Sequence, residues 1–310
     1  MPLTLIEAAK GAPTLFERGV IQTFTDGQRL AQVIPYDEIT GSADGIEREV
    51  ALPDADSRGI NEAFTESTGR TEEIIQSLKI YGGDIGIDAF ILATKGSIKA
   101  TTQITMKIQA IANKWTLDFF KGDMATNPRD IDGLQNRLDI GTINVVEAGS
   151  TDGGDALGLT VLDEAIARCH GPRFIAVGRQ MAVLFTQAMR NQSFSGVLSR
   201  DRNELGFPTM FYNGLELIMV TDNSNNDNIL DFSEVGSGGA TATASSVYIF
   251  GVGDQGILGI QNGTFRVRNL GEDNATPRDD TRVEWYQNYH IMHPRAVIRV
   301  RGISNASFVS

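Results

Sequence analysis

Four stretches of the chain hold residues whose types and spacing could do chemistry. GVGDQG at 251 to 256 is a literal G-x-G-x-x-G, the spacing with which a backbone turn cradles a pyrophosphate, and Glu272 stands near the distance of a ribose-binding acid. His290 and His293 form an H-x-x-H that, on a helix, would present two imidazoles to one metal ion. Cys169-His170 sets a thiol beside a base. Asp123, Asp130 and Asp132 gather carboxylates within FFKGDMATNPRDIDGLQNRL, residues 119 to 138, where metal or acid–base chemistry is conceivable.

The elements that must position these residues argue against each reading. A dinucleotide fingerprint opens a helix whose N-terminal amides face the phosphates, but ILGIQNGTFRVR carries Gly259 and an Asn262-Gly263 turn and alternates like a hairpin. Trp285, Gln287, Tyr289 and Ile291 alternate as a strand, which turns the two histidine rings to opposite faces. Cys169 sits at a helix end stopped by Gly171-Pro172, a site for a buried thiol, and adjacent residues there do not face each other. The aspartates lack the spacing and closing glutamate of a calcium loop, and Pro128 and Gly133 mark turns where Asp and Asn serve as caps. With no G-x-S-x-G and no Walker sequence, the chain offers no coherent active site, and no enzyme activity, cofactor or metal is expected.

Composition bounds the remaining classes. The 310 residues are 41% apolar and 21% charged, which suits a soluble globular protein with a sizeable core; no apolar run has the roughly 18 residues of a membrane span. The start, MPLTLIEAAKGAP, lacks the pattern of a secretory signal, which implies cytoplasmic folding. A net charge of −12 disfavours broad attraction to phosphate. All seven lysines nevertheless lie in the first 121 residues, so one segment is specially basic.

Thr4 with Glu7 and Thr14 with Glu17 fit capping boxes, predicting two short helices before Pro35. Residues 41 to 72 are rich in charge and turn formers around an alternating IEREVAL, and 73 to 88 returns with alternating Ile and Leu; this predicts a long extended hairpin whose tip is too polar for a core. A helix is predicted over 92 to 121: Ile104, Ile108, Ile111, Trp115 and Phe119 form one apolar stripe, and Lys107, Lys114 and Lys121 a basic stripe beside it. Thr160 is expected to cap the helix VLDEAIARC; FIAVG, LELIMV, SSVYIFGV, TFRVRNLG and a long RVEWYQNYHIMHPRAVIRVRGI broken at Pro294 read as strands, and RQMAVLFTQAMRN as a helix. The fold class is mixed α/β or α+β.

Taken in order, MPLTLIEAAKG, AQVIPYDEITG, the ESTGRTEE hairpin, the KGD…IDGLQNRL corner, GIQNG…RNLGE and the terminal RVEWYQNYHIMHPRAVIRVRGI resemble tailed-bacteriophage major capsid proteins of the Hong Kong 97 type. The resemblance runs collinearly from about Leu3 to Ile303. It implies the HK97-like fold: an N-terminal arm (1 to 40), an extended loop (41 to 85), a peripheral domain (86 to 152 with 275 to 303) holding a spine helix (92 to 121), an axial domain (153 to 274) and a tail (304 to 310). The aspartate-bearing stretch, 119 to 138, then becomes the turn where the spine hands the chain back to the peripheral domain.

What the resemblance implies for function is a structural head protein of the virion. It would assemble with itself, in the host bacterial cytoplasm, into pentamers and hexamers of an icosahedral shell around double-stranded DNA. A separate scaffolding protein (or prior removal of such a segment), a portal and a decoration protein are the implied partners, with no membrane. Arg48, Glu49, Asp54, Asp56, Arg58, Glu62, Glu66 and Arg70 become candidate inter-subunit contacts, and Lys107, Lys114 and Lys121 candidates for weak, sequence-independent contact with packaged DNA, or else for pairing within the subunit. Residues 41 to 78 contain no lysine, so the loop cross-link of some relatives is not expected. An encapsulin-like shell holding protein cargo is the nearest alternative, and an α/β enzyme using GVGDQG for a nucleotide the more distant one.

Overall fold

The computed structural model describes residues 3–4, 29–95, 97–138, 141–191, 196–202, 208–220, 228–272 and 276–309. Glu7, Thr14 and Glu17 of the expected capping boxes, and the polar loop 221–227, lie outside these residues. Described elements run β1 (Leu3–Thr4), α1 (Arg29–Val33), β2 (Pro35–Glu38), β3 (Ala43–Ala51), β4 (Arg70–Ser77), β5 (Lys79–Asp88), α2 (Ala89–Lys95), α3 (Ser97–Lys121), α4 (Leu134–Arg137) and β6 (Val145–Glu147). Next come α5 (Leu159–Arg168), β7 (Phe174–Val177), α6 (Arg179–Met189), β8 (Leu198–Arg202), β9 (Pro208–Tyr212), β10 (Leu215–Met219), β11 (Glu234–Val235), β12 (Ala242–Phe250), β13 (Ile257–Gln261), β14 (Arg266–Glu272), β15 (Arg278–Ile291) and β16 (Val297–Ser304). The chain is a mixed α/β protein in which strands dominate.

Among the described residues, one sheet is built around β15. The antiparallel partner β5 covers one edge from Arg278 to Gln287, while β14 and then β13 share the other edge, and β2 and β1 extend the sheet beyond β13. Helix α3 lies against this sheet because its apolar residues recur at helical spacing. Ile104, Ile108, Ile111, Trp115 and Phe119 are all buried, and Trp115 meets Trp285 at 6.1 Å and Phe119 meets Tyr289 at 4.8 Å between ring centroids.

A second sheet runs β6-β16-β12-β7-β10-β9-β8, with β11 beside β12. Its central strands β7 and β12 carry buried apolar residues on both faces, as a sheet covered on both sides requires, whereas the edge strand β8 is largely exposed. Tyr248 and Phe250 turn toward the core that α3 fills, whereas Val247 and Ile249 turn toward a second core with Leu162 of α5 and Met181 and Phe185 of α6.

The corner after α3 depends on close backbone approach. A Cβ on Gly122 would lie 2.2 Å from the Ile131 carbonyl oxygen, and one on Gly133 would lie 2.6 Å from the Gly122 nitrogen, so two glycines let the chain cross itself. The three aspartates there are architectural. Asp123 accepts the Ala125 amide at 2.9 Å and the Thr126 hydroxyl at 2.6 Å, Asp132 accepts the Met124 amide at 3.2 Å, and Asp130 pairs with Lys114 at 3.2 Å.

Three expectations need revision. Helical structure begins at Ala89 rather than 92, in two pieces, because the Asp88 carboxylate accepts the Phe90 amide at 2.8 Å and starts α2 directly after the strand. Thr160 is not a cap; Gly158 holds that position, pinned where the Leu159 amide donates to the Val309 carbonyl. The returning stretch 73 to 88 is two strands, since the Leu78 amide closes the hairpin onto the Ser42 carbonyl and β5 leaves to join β15. Strand pairing also links segments distant in sequence. β6 and β16 belong with β7 and β12, while β13 and β14 belong with β15.

Candidate functional site

β3 and β4 form a two-stranded hairpin that leaves the body of the molecule, paired from Ala43↔Ser77 to Ala51↔Arg70 with a bulge near Glu49. No residue of it is buried. An isolated two-stranded hairpin is at best marginally stable in water, so such a structure calls for a surface to lie on.

Its base is clamped by polar side chains from the corner and from β15. Arg137 donates to the Gln76 amide oxygen (3.1 Å), the Tyr289 carbonyl (3.0 Å) and the Asp132 carbonyl (2.8 Å), with its guanidinium 4.0 Å from the Tyr289 ring centroid. Asn288 donates to the Ser77 carbonyl at 2.7 Å, and His290 meets the Asp44 carboxylate at 3.2 Å. The corner of residues 119 to 138 thus carries the arginine that fixes where the hairpin departs. Sequence reasoning passed over Arg137, whose signal was only that a charged side chain stood beside two core leucines, Leu134 and Leu138.

The distal part combines carboxylates with bare apolar side chains. Leu52 is 78% exposed, Ile60 95% and Phe64 64%. These three were missed because the surrounding composition is polar; VALPDADSRGINEAF nevertheless spaces large apolar residues along a segment that cannot bury them itself.

The eight predicted contact residues divide. Arg48 is engaged within the hairpin, opposite and paired with Glu72 at 3.3 Å. Arg58 donates to the Glu62 carbonyl at 3.0 Å and lies 5.2 Å from the Phe64 ring centroid, and Glu62 accepts the Gly59 amide at 2.8 Å, which together shape the tip. Glu49 acts electrostatically on His293. Asp54, Asp56, Glu66 and Arg70 are exposed and their side chains have no partner among the described residues.

Of the two readings left open for the lysine stripe, pairing within the subunit accounts for Lys114 and Lys121. Lys114 lies 2.6 Å from Asp118 as well as 3.2 Å from Asp130, and Lys121 lies 2.8 Å from Asp231 of the second sheet's loop. Burial alone would lower the Lys114 pKa, but the bonds to Asp118 and Asp130 carry it upward. Lys107 packs over Gly83 and makes no ion pair among the described residues.

The motifs that suggested catalysis are structural. GVGDQG joins β12 to β13 as a turn that opens no helix, and the amides of Gly253, Gly256 and Ile257 donate to carbonyls within the turn or next to it. Cys169 is buried against the carbonyls of Ala296 and Ile249, and burial pushes its thiol up to about 12. His290 is buried on β15, while His293 stacks on His170 at 4.1 Å, so the two rings of the H-x-x-H do not converge. Among the described residues no cluster of His, Cys, Asp and Glu could hold a metal ion, and no helix is long and apolar enough to cross a membrane.

These histidines make the region around the hairpin base acid-sensitive. Burial, opposed by Asp44, holds His290 below the ordinary histidine range; burial, with the charges of His170 and Arg295, does the same for His293. Below about pH 6.5 the unfolded chain therefore binds protons that the folded chain resists, and stability falls with falling pH in that window, above the range where carboxylates titrate. Thermal melts at pH 7.5 and 5.5 are expected to give a lower Tm at the acid value. His290→Gln should reduce that difference, and an undiminished difference would refute the assignment.

No protein-family model matches the chain, and no curated protein matches it in sequence. Solved structures do match its fold. The holo-SrpI encapsulin complex from Synechococcus elongatus PCC 7942 superposes with a TM-score of 0.65 at 13% identity, covering 91% of this chain and 89% of that one. The capsid of the native GTA particle gives 0.64 at 12% identity with 91% of each chain covered. A chain from Mycobacterium phage Ogopogo gives 0.56 at 16% identity, covering 89% of this chain and 92% of that one. With the long helix crossing one sheet, the second sheet beside it and the projecting hairpin, the chain has the HK97-like fold of capsid and encapsulin shells.

Proposed function

We propose that this chain is the subunit of a closed protein shell, and specifically a major capsid protein whose pentamers and hexamers enclose double-stranded DNA in a virion. The observation that carries the reading is the hairpin from Ala43 to Ser77, which projects from a well-packed body with its apolar tip bare. A self-assembling shell supplies the missing surface from a neighbouring copy, and repetition over many copies makes weak individual contacts sufficient. In this reading residues 1 to 40 are the arm and the hairpin is the extended loop. The sheet around β15 with α3 is the peripheral part, and the sheet containing β12 with α5 and α6 is the axial part. Scaffolding, portal and decoration proteins would be its partners in assembly.

A second reading is favoured by the likeness to the encapsulin: a compartment shell with protein rather than DNA inside. The internal pairing of Lys114 and Lys121 removes an argument for DNA contact without supplying one for cargo. Electron microscopy of the purified protein, expressed alone and with a scaffolding protein, is expected to give uniform shells or free capsomers. Nuclease-protected DNA within particles isolated from their native source supports the capsid, and protein cargo without DNA the compartment. A monomer or dimer under every condition would overturn both.

A further inference from the structure

We infer that a cleft between β9 and β10 takes up an extended segment of a partner protein, one that presents apolar side chains flanked by carboxylates on one face. The cleft belongs to a single subunit, so the inference goes beyond the shell reading and does not depend on it. β10 pairs with β9 only at Leu215↔Tyr212 and Glu216↔Phe211. β9 nevertheless runs back to Pro208 alongside β8, and β10 runs on to Met219 alongside β7. The two strands therefore part beyond Glu216. A cavity of about 680 Å³ opens there, with Pro208, Thr209 and Met210 on one side and Leu217 and Met219 on the other.

The parting leaves backbone groups open. The Glu216 amide donates to the Arg173 carbonyl at 3.2 Å and the Val220 amide to the Val177 carbonyl at 2.9 Å, both on the β7 side. Backbone groups of successive strand residues point to opposite edges, so the N–H and C=O of Leu217 and Met219 face the cleft, where no described strand pairs with them. Such an edge is a template for one more strand, which would complete the ladder with its own N–H and C=O groups.

The walls specify the side chains that strand would carry. α6 floors the cleft with Ala182, Val183 and Thr186, and Val183 and Met219 are 53% and 54% exposed. Charge comes from Arg179 in the first turn of α6 and from Arg200, which stands opposite Met210 in the β8–β9 ladder and so shares its face. Arg200 is exposed and forms no ion pair among the described residues. The carboxylate that lines the cleft, Glu216, is already held by Arg29 through two contacts of 2.9 Å. Cations thus outnumber carboxylates around an apolar floor, in a chain whose net charge is −12. Apolar side chains at the centre of the incoming strand would cover that floor, and flanking carboxylates would meet the arginines and fix its register.

Fluorescence anisotropy with a labelled peptide tests this. Acetylated Glu-Thr-Val-Thr-Val-Thr-Glu, carrying fluorescein at its C-terminus, presents Glu, Val, Val and Glu on one face when extended. The full chain is expected to bind it with half-saturation below about 100 μM. The same peptide with Lys in place of Glu should bind at least about tenfold more weakly, and Arg200→Glu should reverse that preference. A fully N-methylated form, which keeps every side chain and loses every backbone donor, should not bind. Val183→Asp, at an exposed position, should abolish binding and leave the Tm unchanged. No binding of the acidic peptide, whether the cleft stays open or the chain's own residues fill it, overturns the inference. So do equal affinities for the acidic and lysine peptides, an Arg200→Glu chain that still prefers the acidic one, undiminished binding of the N-methylated form, or undiminished binding by Val183→Asp. Release of the peptide as the chain's own concentration rises would put a second copy in the cleft and overturn a separate partner.

Discussion

Replacing Ile60 and Phe64 together by serine is expected to abolish assembly at ordinary concentrations while leaving the subunit as stable as before. Both side chains are exposed in the single chain, so removing them deletes no intramolecular core, and the change in subunit stability should stay within about 0.5 kcal/mol. Buried at a contact, each would contribute about 1.5–3 kcal/mol. The loss per contact is thus about 3 kcal/mol or more, equivalent to a rise of roughly 100-fold in the concentration at which copies associate. Because every subunit of a closed shell would make this contact, a deficit of that size leaves no assembly route around it. Sedimentation velocity beside thermal melts separates the two effects. An unchanged melt with only slow-sedimenting species is the expected pair of results, whereas normal shells from the variant would show that the tip is a solvated loop. A fall of several degrees in Tm would place the two side chains in the subunit's own core.

The parts of the fold that were legible in sequence are those set by local periodicity. The stripe from Ile104 to Phe119 specified both α3 and its buried face, and the alternation around Trp285 specified β15, because 3.6- and 2-residue repeats are read directly from apolar spacing. The segment after GVGDQG was legible as a strand because Gly259 and the Asn262-Gly263 turn break any helical pattern there. Non-local partners were not legible. Which carboxylate pairs with Lys121 was not visible because Asp231 is 110 residues away, and the 73 to 88 stretch looked continuous because only tertiary pairing divides it at Leu78. The sheet membership of β6 and β16 is of the same kind. The hairpin tip was misjudged differently: averaging over a charged segment hid three apolar side chains whose importance comes from their having nothing to pack on.

Breaking the buried ion pair of the second sheet is expected to cost the subunit about 3–5 kcal/mol, while replacing both partners costs far less. Arg299 on β16 donates to the Glu234 carboxylate at 2.7 Å and to the Ser246 hydroxyl at 3.0 Å, and Ser246 in turn donates to Glu234. Both charged side chains are under 10% exposed. The network ties β11, β12 and β16 together where the alternation of apolar residues along β16 is interrupted by charge. Glu234→Ala leaves a guanidinium in the interior without its counter-charge, and Arg299→Met leaves a carboxylate in the same position; either loses the attraction and keeps a desolvation cost. In the double variant Glu234→Leu, Arg299→Met both charges leave, apolar volume replaces them and only the Ser246 hydroxyl is stranded, so its stability should lie within about 2 kcal/mol of the parent. Urea midpoints for the parent, the two single variants and the double variant give the coupling directly. A double variant as unstable as either single one would mean that packing shape at the β11–β12–β16 junction, and not the buried charge, sets the cost.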